Sequence, residues 1–429
     1  MIWPSVRIQD FCQTTSGGTP SRDNVSRYYG GEIPWVKSGE LLDATLRDTQ
    51  EKITELALKE SSAKIVPAGA VLVAMYGATV GRTGLLEIDA ATNQAVCSVI
   101  PDTRLASSRY VWYALRASYA DFLLKRVGGG QPNISQQIIR STKLPLPSPS
   151  EQARVVCLLD EGDRLRRLSR EASMNAKRIL PAIFLKMFGE PAMNPKGWDI
   201  KPLSKVIQSV EAGWSSQSDA RPKSSGEFGV LKVSAVTSGI FLPEENKAVP
   251  EVAPGRVLIT PRRGDLLFSR ANTRELVAAT CIVDEDYPDL FLSDKLWRIT
   301  PFPNLAKTTF LKELFWQSGI RDKFRAASSG SSGSMLNISQ DAVMRTEVPV
   351  PPLPHQEKFD RSFWLVMGTT KQTGRADNQV ESTWRELLKR AFSGELTAKW
   401  REAHMKELVD EMAVQARHLN LPMPQEAVV

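Results

Sequence analysis

The chain has 429 residues, 42% hydrophobic and 24% charged, with a formal net charge of +7. This is the composition of a globular protein too long for one core, since single cores stop growing near roughly 250–300 residues, and no apolar run nears the roughly 18 residues of a membrane helix. The excess of base permits a polyanionic partner without demanding one, and the cysteines (Cys12, Cys97, Cys157 and Cys281) form no C-x-x-C, which disfavours a zinc ribbon or disulfide framework. They are expected as buried thiols in a reducing cytoplasm.

The first residues, MIWPSVRIQDFCQ, have neither a basic n-region nor an apolar h-region, so no signal peptide is expected. Ile33–Ser38, Val71–Tyr76 and Ala95–Ile100 predict strands: short, β-branched or aromatic, and bounded by Gly and Pro. Gly77–Gly84 reads GATVGRTG but lacks the Gly-Lys-Ser/Thr ending of a phosphate loop, and a tight turn is favoured. Over Arg109–Val127 the apolar spacing (Val111, Leu115, Tyr119, Phe122, Leu123) predicts a helix. Next comes PNISQQIIRSTKLPLPSPSEQ, from Pro132. Asn133-Ile134-Ser135 fits a glycosylation acceptor, but no secretory route supports that reading. Its Pro-rich exit cannot be helical; Ser148 or Ser150 is expected to cap the helix after it.

A long helix is predicted from Glu151, with a seam at Val155, Leu158, Gly162, Leu165, Ala172, Ala176, Ile179 and Ile183, kinked or restarted at Pro181. Further strands are predicted at GVLKVSAV, DLLFSR and KLWRIT, with a helix near Thr308–Arg325. LNISQDAVMRTEVPVPPLPHQE then leads into a second long helix with a seam at Phe359, Phe363, Val366, Val380, Trp384, Leu387 and Leu388. Polar Gly368–Gln379 is expected to weaken its middle. Each long helix covers about 40 residues, or about 60 Å at 1.5 Å per residue.

The chain is therefore written twice. Trp3 pairs with Trp198, Lys37 with Lys232 and Gly69 with Gly264 at an offset of 195; Pro101 pairs with Pro301 at 200; Asn133 pairs with Asn337 and Gln152 with Gln356 at 204. An offset that grows in steps, with order kept, is what loop insertions in a second copy produce. Neither helix can bury its seam alone, so an antiparallel pair is expected, with an α/β segment at each end about a pseudo-twofold axis. Val155, Leu158, Leu165, Ile179, Ile183, Phe359, Phe363, Val380, Trp384 and Leu387 are the expected helix-packing or subunit-interface residues.

Catalytic signatures are lacking. The three histidines, His355, His404 and His418, have no metal-ligand spacing. VPPLP lacks the acid or amide and the aromatic of an adenine-methyltransferase motif. PDLFLSDK (Pro288–Lys295) has the wrong spacing for a nuclease carboxylate set and no equivalent in the first copy. A duplicated reader with spaced ends suits a ligand with two separated sites, above all DNA.

The chain resembles the specificity subunits of type I restriction–modification systems. The residues that carry this are SGGTPSRDN…YYGGEIPWVKSGEL, MYGATVGRTG, NQAVCSVIP, both Asn-Ile-Ser-Gln exits and KRAFSGELTAKWREAH (Lys389–His404). The resemblance implies an α/β (α+β) fold: two similar target recognition domains, 1–147 and 193–351, joined by spacer helices 148–192 and 352–400 as an antiparallel coiled coil, with a helical tail 401–429. It implies a non-catalytic subunit that binds a bipartite double-stranded DNA target. Two modification subunits would supply S-adenosylmethionine and adenine N6-methylation, and restriction subunits ATP, Mg and cleavage; this chain would bind no cofactor or metal itself. The alternatives are a DNA-acting enzyme such as a nuclease with an unrecognised site, which a methylation assay with and without a modification subunit separates, and a coiled-coil adaptor, which would need no α/β domains.

Candidate DNA-binding residues are the loop cations and amides, since Lys and Arg hold phosphates while Arg, Lys, Asn, Gln and Ser reach base edges. They are Arg22, Lys37, Tyr76, Arg82, Gln131 and Asn133 in the first copy, and Lys232, Arg262, Arg263, Arg270, Asn272, Arg274 and Asn337 in the second. Asn133 and Asn337 each precede a helix start, where a capping role comes first.

Overall fold

The computed structural model describes residues 3–126, 133–252, 255, 257–330 and 335–423. The chain divides into two compact units, residues 1–169 with 377–429 and residues 170–376. In the first, strands are ordered Cys12–Ser16, Val96–Pro101, Val71–Ala74, Thr83–Leu86, Ala44–Leu46, beside a four-stranded sheet in which Tyr29–Val36 runs parallel to Ala90–Thr92. In the second, the order Ile207–Ala212, Leu296–Pro301, Leu266–Ser269, Thr280–Ile282 repeats the first four of those strands, and Phe228–Leu231 pairs in parallel with Leu290–Phe291. The strands Val71–Ala74, Thr83–Leu86 and Leu266–Ser269 are buried throughout, so they read as continuous apolar runs. The helix predicted over Arg109–Val127 is two, Ser108–Ala117 and Tyr119–Leu124, and the second copy breaks likewise between Thr308–Trp316 and Ser318–Ala326.

The long helices span Pro149–Phe188 and Leu353–Phe392. Ser148 accepts from the Glu151 N–H at 3.3 Å and is the cap of the first. That helix is continuous through Pro181, so it does not restart there: the ring removes one N–H, and Leu180 and Phe184 are buried on either side of it.

Within each unit the two helix segments run antiparallel. In the first, Gly162 lies so close to the other helix that a Cβ there would meet Leu387 at 2.7 Å and Trp384 at 3.1 Å. In the second, Phe184 packs on Phe359 at 5.6 Å. The seam of the first helix runs Val155, Leu159, Asp163, Ser173, Ala176, Leu180, Phe184, Phe188. This corrects the expectation at several positions. Leu165 and Ile179 are 51% and 41% exposed, while Leu158 and Ile183 are half-buried. Choosing apolar residues alone favoured the wrong face, because Asp163 and Arg166 occupy the buried side there. On the second helix Phe359, Phe363 and Trp384 are buried, and Val380 and Leu387 half-buried. Cys12, Cys97 and Cys281 are buried; Cys157 is exposed, on the outer face of the first long helix.

Candidate nucleic-acid interface

Asn-Ile-Ser-Gln does the same work in both copies. Ser135 and Ser339 are the helix caps, accepting from the Ile138 and Ala342 N–H groups at 3.2 and 3.1 Å. The cap expected of Asn133 and Asn337 therefore falls to the serine two residues on, because each asparagine is already held in a strand pairing. Asn133 bridges Tyr76, and Asn337 pairs with Ala271. Ile134 and Ile338 are buried, and their N–H groups donate to the Met75 and Arg270 carbonyls, both at 2.9 Å. Those two residues in turn donate to the Ala95 and Lys295 carbonyls at 2.7 and 3.0 Å.

This backbone scaffold places the loop before the Val96–Pro101 or Leu296–Pro301 strand beside the exit turn. The loop is locked from its other side by glycine. Gly17 and Gly213 donate to the Val96 and Leu296 carbonyls, and a Cβ on either would stand 2.1 Å from the Thr92 or Leu292 carbonyl oxygen. At matched positions the loop reads Asn93-Gln94-Ala95 in the first unit and Ser293-Asp294-Lys295 in the second. PDLFLSDK thus matches IDAATNQA of the first copy, where Gln94 stands at the position of Asp294, so its pair of carboxylates has no equivalent there.

Several polar atoms here are buried with no hydrogen-bond partner among the described residues: Thr92 Oγ1 and Asn93 Oδ1 in the first unit, and Ser216 Oγ, Ser293 Oγ and Arg270 Nε in the second. Leaving such atoms unpaired costs about 1–3 kcal/mol each, which bound ligand or water groups would recover. In the second unit a cleft of about 420 Å³ opens over this loop, lined by Ser216, Lys232, Ser234, Lys247, Ser293, Asp294 and Lys295 among others. Lys232 pairs with Glu245 at 3.3 Å, and Ser234, then Lys232, holds that carboxyl below its usual range. Lys247 and Lys295 have no carboxylate partner among the described residues.

The expected residues distribute as follows. Tyr76 and Asn133 meet at the first unit's loop, and Arg270, Asn272 and Asn337 at the second's, where Lys232 lines the cleft. Lys37 adjoins the first loop, since the Asn93 N–H donates to the Val36 carbonyl. Lys37 and Arg22 share Glu51 at 2.8 and 2.7 Å, and Lys37 first, then Arg22, lowers its pKa. The others lie apart. Arg82 pairs with Asp43 at 2.6 Å and lies over Tyr119. Arg263 lies over Trp364 of the second long helix. Arg262 donates its backbone N–H to Asp265, a half-buried carboxyl whose pKa is raised by loss of solvent. Arg274 is exposed beside Arg325, which donates to its carbonyl. Gln131 lies outside the described residues. Sequence reasoning missed Asn93, Gln94, Ser216, Lys247, Ser293 and Lys295. The signal was available: a loop that differs between copies while the strand after it matches.

Residues 2–173 match the family model described as the type I restriction modification DNA specificity domain. The MjaIX specificity subunit of Methanocaldococcus jannaschii is 26% identical over 271 residues, 58% of this chain and 62% of that one. Thus the alignment spans about three fifths of that relative's length. The EcoKI specificity subunit of Escherichia coli is 21% identical over 93% of this chain and 90% of its own. In fold, the crystal structure of the type I restriction–modification S subunit from M. genitalium aligns with a TM-score of 0.55 and 12% identity, over 91% of this chain and 96% of that one. With two copies of one α/β plan, a specificity domain matched over residues 2–173 and specificity subunits among its relatives, the chain is similar to the specificity subunits of type I restriction–modification systems.

Proposed function

We propose that the chain is the DNA-sequence-recognition subunit of a type I restriction–modification complex, without an active site of its own. Residues 1–147 and 193–351 are its two target recognition domains. The helices 148–192 and 352–400 separate them, and with the tail they hold two modification subunits and, in the full complex, restriction subunits. In this reading S-adenosylmethionine, ATP and Mg are held by those partners, and the complex works in the cytoplasm.

One observation carries it. Matched backbone positions in the two units present different polar groups, Asn93 and Gln94 against Ser293, Asp294 and Lys295, and Asn93 Oδ1 and Ser293 Oγ are buried and unpaired among the described residues. A fixed frame with exchanged side chains is what reading two unlike half-sites requires. Lys247 and Lys295 suit phosphates, and Asp294 suits a cytosine amino group. No helix among the described residues is long and apolar enough to cross a membrane. The test is methylation of a random-sequence DNA library by the chain with its modification subunit. A split target is expected, with Asn93→Ala relaxing one half and Ser293→Ala the other. Methylation by the pure chain alone, or relaxation of both halves by one substitution, would refute the reading.

A further inference from the structure

The two units differ at one matched surface. In the first, the Gln152 Nε2 donates to the Leu105 and Pro147 carbonyls at 2.8 and 2.9 Å, while its Oε1 accepts from the Ser107 N–H. In the second, Gln356 repeats this on the Leu305 and Pro351 carbonyls at 3.0 and 2.8 Å and on the Lys307 N–H. A carbonyl oxygen has two lone pairs. In the first unit both carbonyls take a second donor: Gln415, from the tail helix Met405–Leu419, reaches them at 2.9 and 3.2 Å. Leu408, Met412 and Ala416 of that helix are buried.

In the second unit no segment among the described residues covers this place. A cleft of about 290 Å³ opens there instead, lined by Trp198, Asn304, Leu305, Pro351 and Leu353 among others. Asp199 and Lys201 also line it. Phe302, 37% exposed, begins the turn that carries Asn304 and Leu305, where the first unit has Asp102, whose carboxyl is held down to about 2 by Arg104, with a smaller part from His418 of the tail helix.

We propose that this surface is the docking site for an amphipathic helix of a partner protein, with a Gln or Asn amide on its apolar face to donate to the Leu305 and Pro351 carbonyls. A second copy of this chain does not fit. Its tail is anchored by Thr397 and Arg401 on Glu151, at 2.6 and 2.8 Å, and by Glu411 on the Ser150 N–H at 3.0 Å. The second unit offers His355 and Pro354 at those positions: no carboxylate, and no N–H. The occupant therefore lacks the tail's charged anchors and carries apolar side chains toward Phe302. The identification of the partner as a modification subunit rests on the function proposed above; the chemistry of the surface does not.

The probe is a synthetic peptide of residues 405–421 carrying Glu411→Ala and His418→Leu, titrated against the full-length chain. It is expected to bind one site per chain, and both Phe302→Asp in the chain and Gln415→Leu in the peptide should weaken it about tenfold. The modification subunit should compete with it, and DNA binding should not change in Phe302→Asp. Absent binding, or binding insensitive to Phe302→Asp, overturns the docking site. Binding that the modification subunit leaves undisturbed, or that accompanies dimerisation of the chain, overturns the occupant. Loss of sequence-specific DNA binding with peptide binding retained would instead count against the proposed function alone.

Discussion

Beneath the long helices the two units solve one packing problem with different chemistry. In the second, Leu180, Phe184 and Phe188 meet Phe310, Phe359 and Phe363, with ring centroids 5.0 to 6.3 Å apart. In the first, Arg116 and Asp163, 4% and 6% exposed, form an ion pair at 3.0 Å, joined by Arg166 at 3.0 Å from Asp163. Arg116 lies over Trp112, Tyr113 and Trp384 within 5.2 Å. Aromatic burial is tolerant of small shifts. A buried ion pair demands its geometry and leaves an uncompensated charge when half of it is removed. The first unit should therefore be the more easily broken by one substitution, and the second the more forgiving.

The largest effect expected is at Asp163→Ala, which leaves Arg116 and Arg166 without their carboxylate and should cost about 3–5 kcal/mol. Phe359→Ala should cost a similar amount, about 3–5 kcal/mol, but Phe359→Leu should recover most of it. At Asp163 only the paired change Arg116→Met with Asp163→Leu should do so. Denaturant unfolding of the variants measures this, and equal tolerance at both seams would remove the distinction.

Next come the loops. Arg270→Ala and Lys295→Ala should each cost about 1–3 kcal/mol at one base pair of one half-site if they read bases. A uniform loss across sequences with a shallower salt slope assigns them to phosphates instead. Smaller still, Ser135→Ala and Ser339→Ala each remove one cap and should cost about 1 kcal/mol of stability, equally in the two copies. Asn133→Ala and Asn337→Ala should cost less, since neither asparagine caps.

The smallest effect is in acid. Glu51 and Glu245 are both lowered in pKa, so each adds stability that is present above the ordinary carboxylate range and lost as pH falls through the depressed value. Lys37 is the first cause at Glu51, whereas Ser234 precedes Lys232 at Glu245. Acid unfolding should therefore start at higher pH in Lys37→Met than in Lys232→Met, measured as the melting temperature against pH.

Repetition was the part of the fold most legible in the sequence. Paired positions such as Gln152 and Gln356 turned out to make the same three hydrogen bonds. The strands Val71–Ala74, Val96–Pro101 and Leu266–Ser269 were legible because each is a short buried apolar run, whereas Tyr29–Val36 is buried only at its end and GVLKVSAV leaves the strand after Leu231 for a turn of 3-10 helix. The helix seam was misread around Asp163 and Arg166, because hydrophobic periodicity cannot register a buried ion pair, and the apolar Leu165 lay one position away. The interface loops were half legible. Cations and amides beside a strand end were visible, but Asn93 and Ser293 became candidates only when the fold carried them to the exit turn. Nothing in composition separates Arg270, with a buried Nε, from Arg263, which lies on a tryptophan.

Glu151 carries a consequence for the order in which the chain is made. Its carboxylate is fully buried between the Trp3 indole, the Thr397 hydroxyl and the Arg401 guanidinium, the last two lying 246 and 250 residues later in the chain. At roughly 5–20 residues per second of synthesis, about ten to fifty seconds separate the emergence of that carboxylate from that of its cation. During that interval the first domain must leave Glu151 in water. The unit that is translated first is the one that closes last.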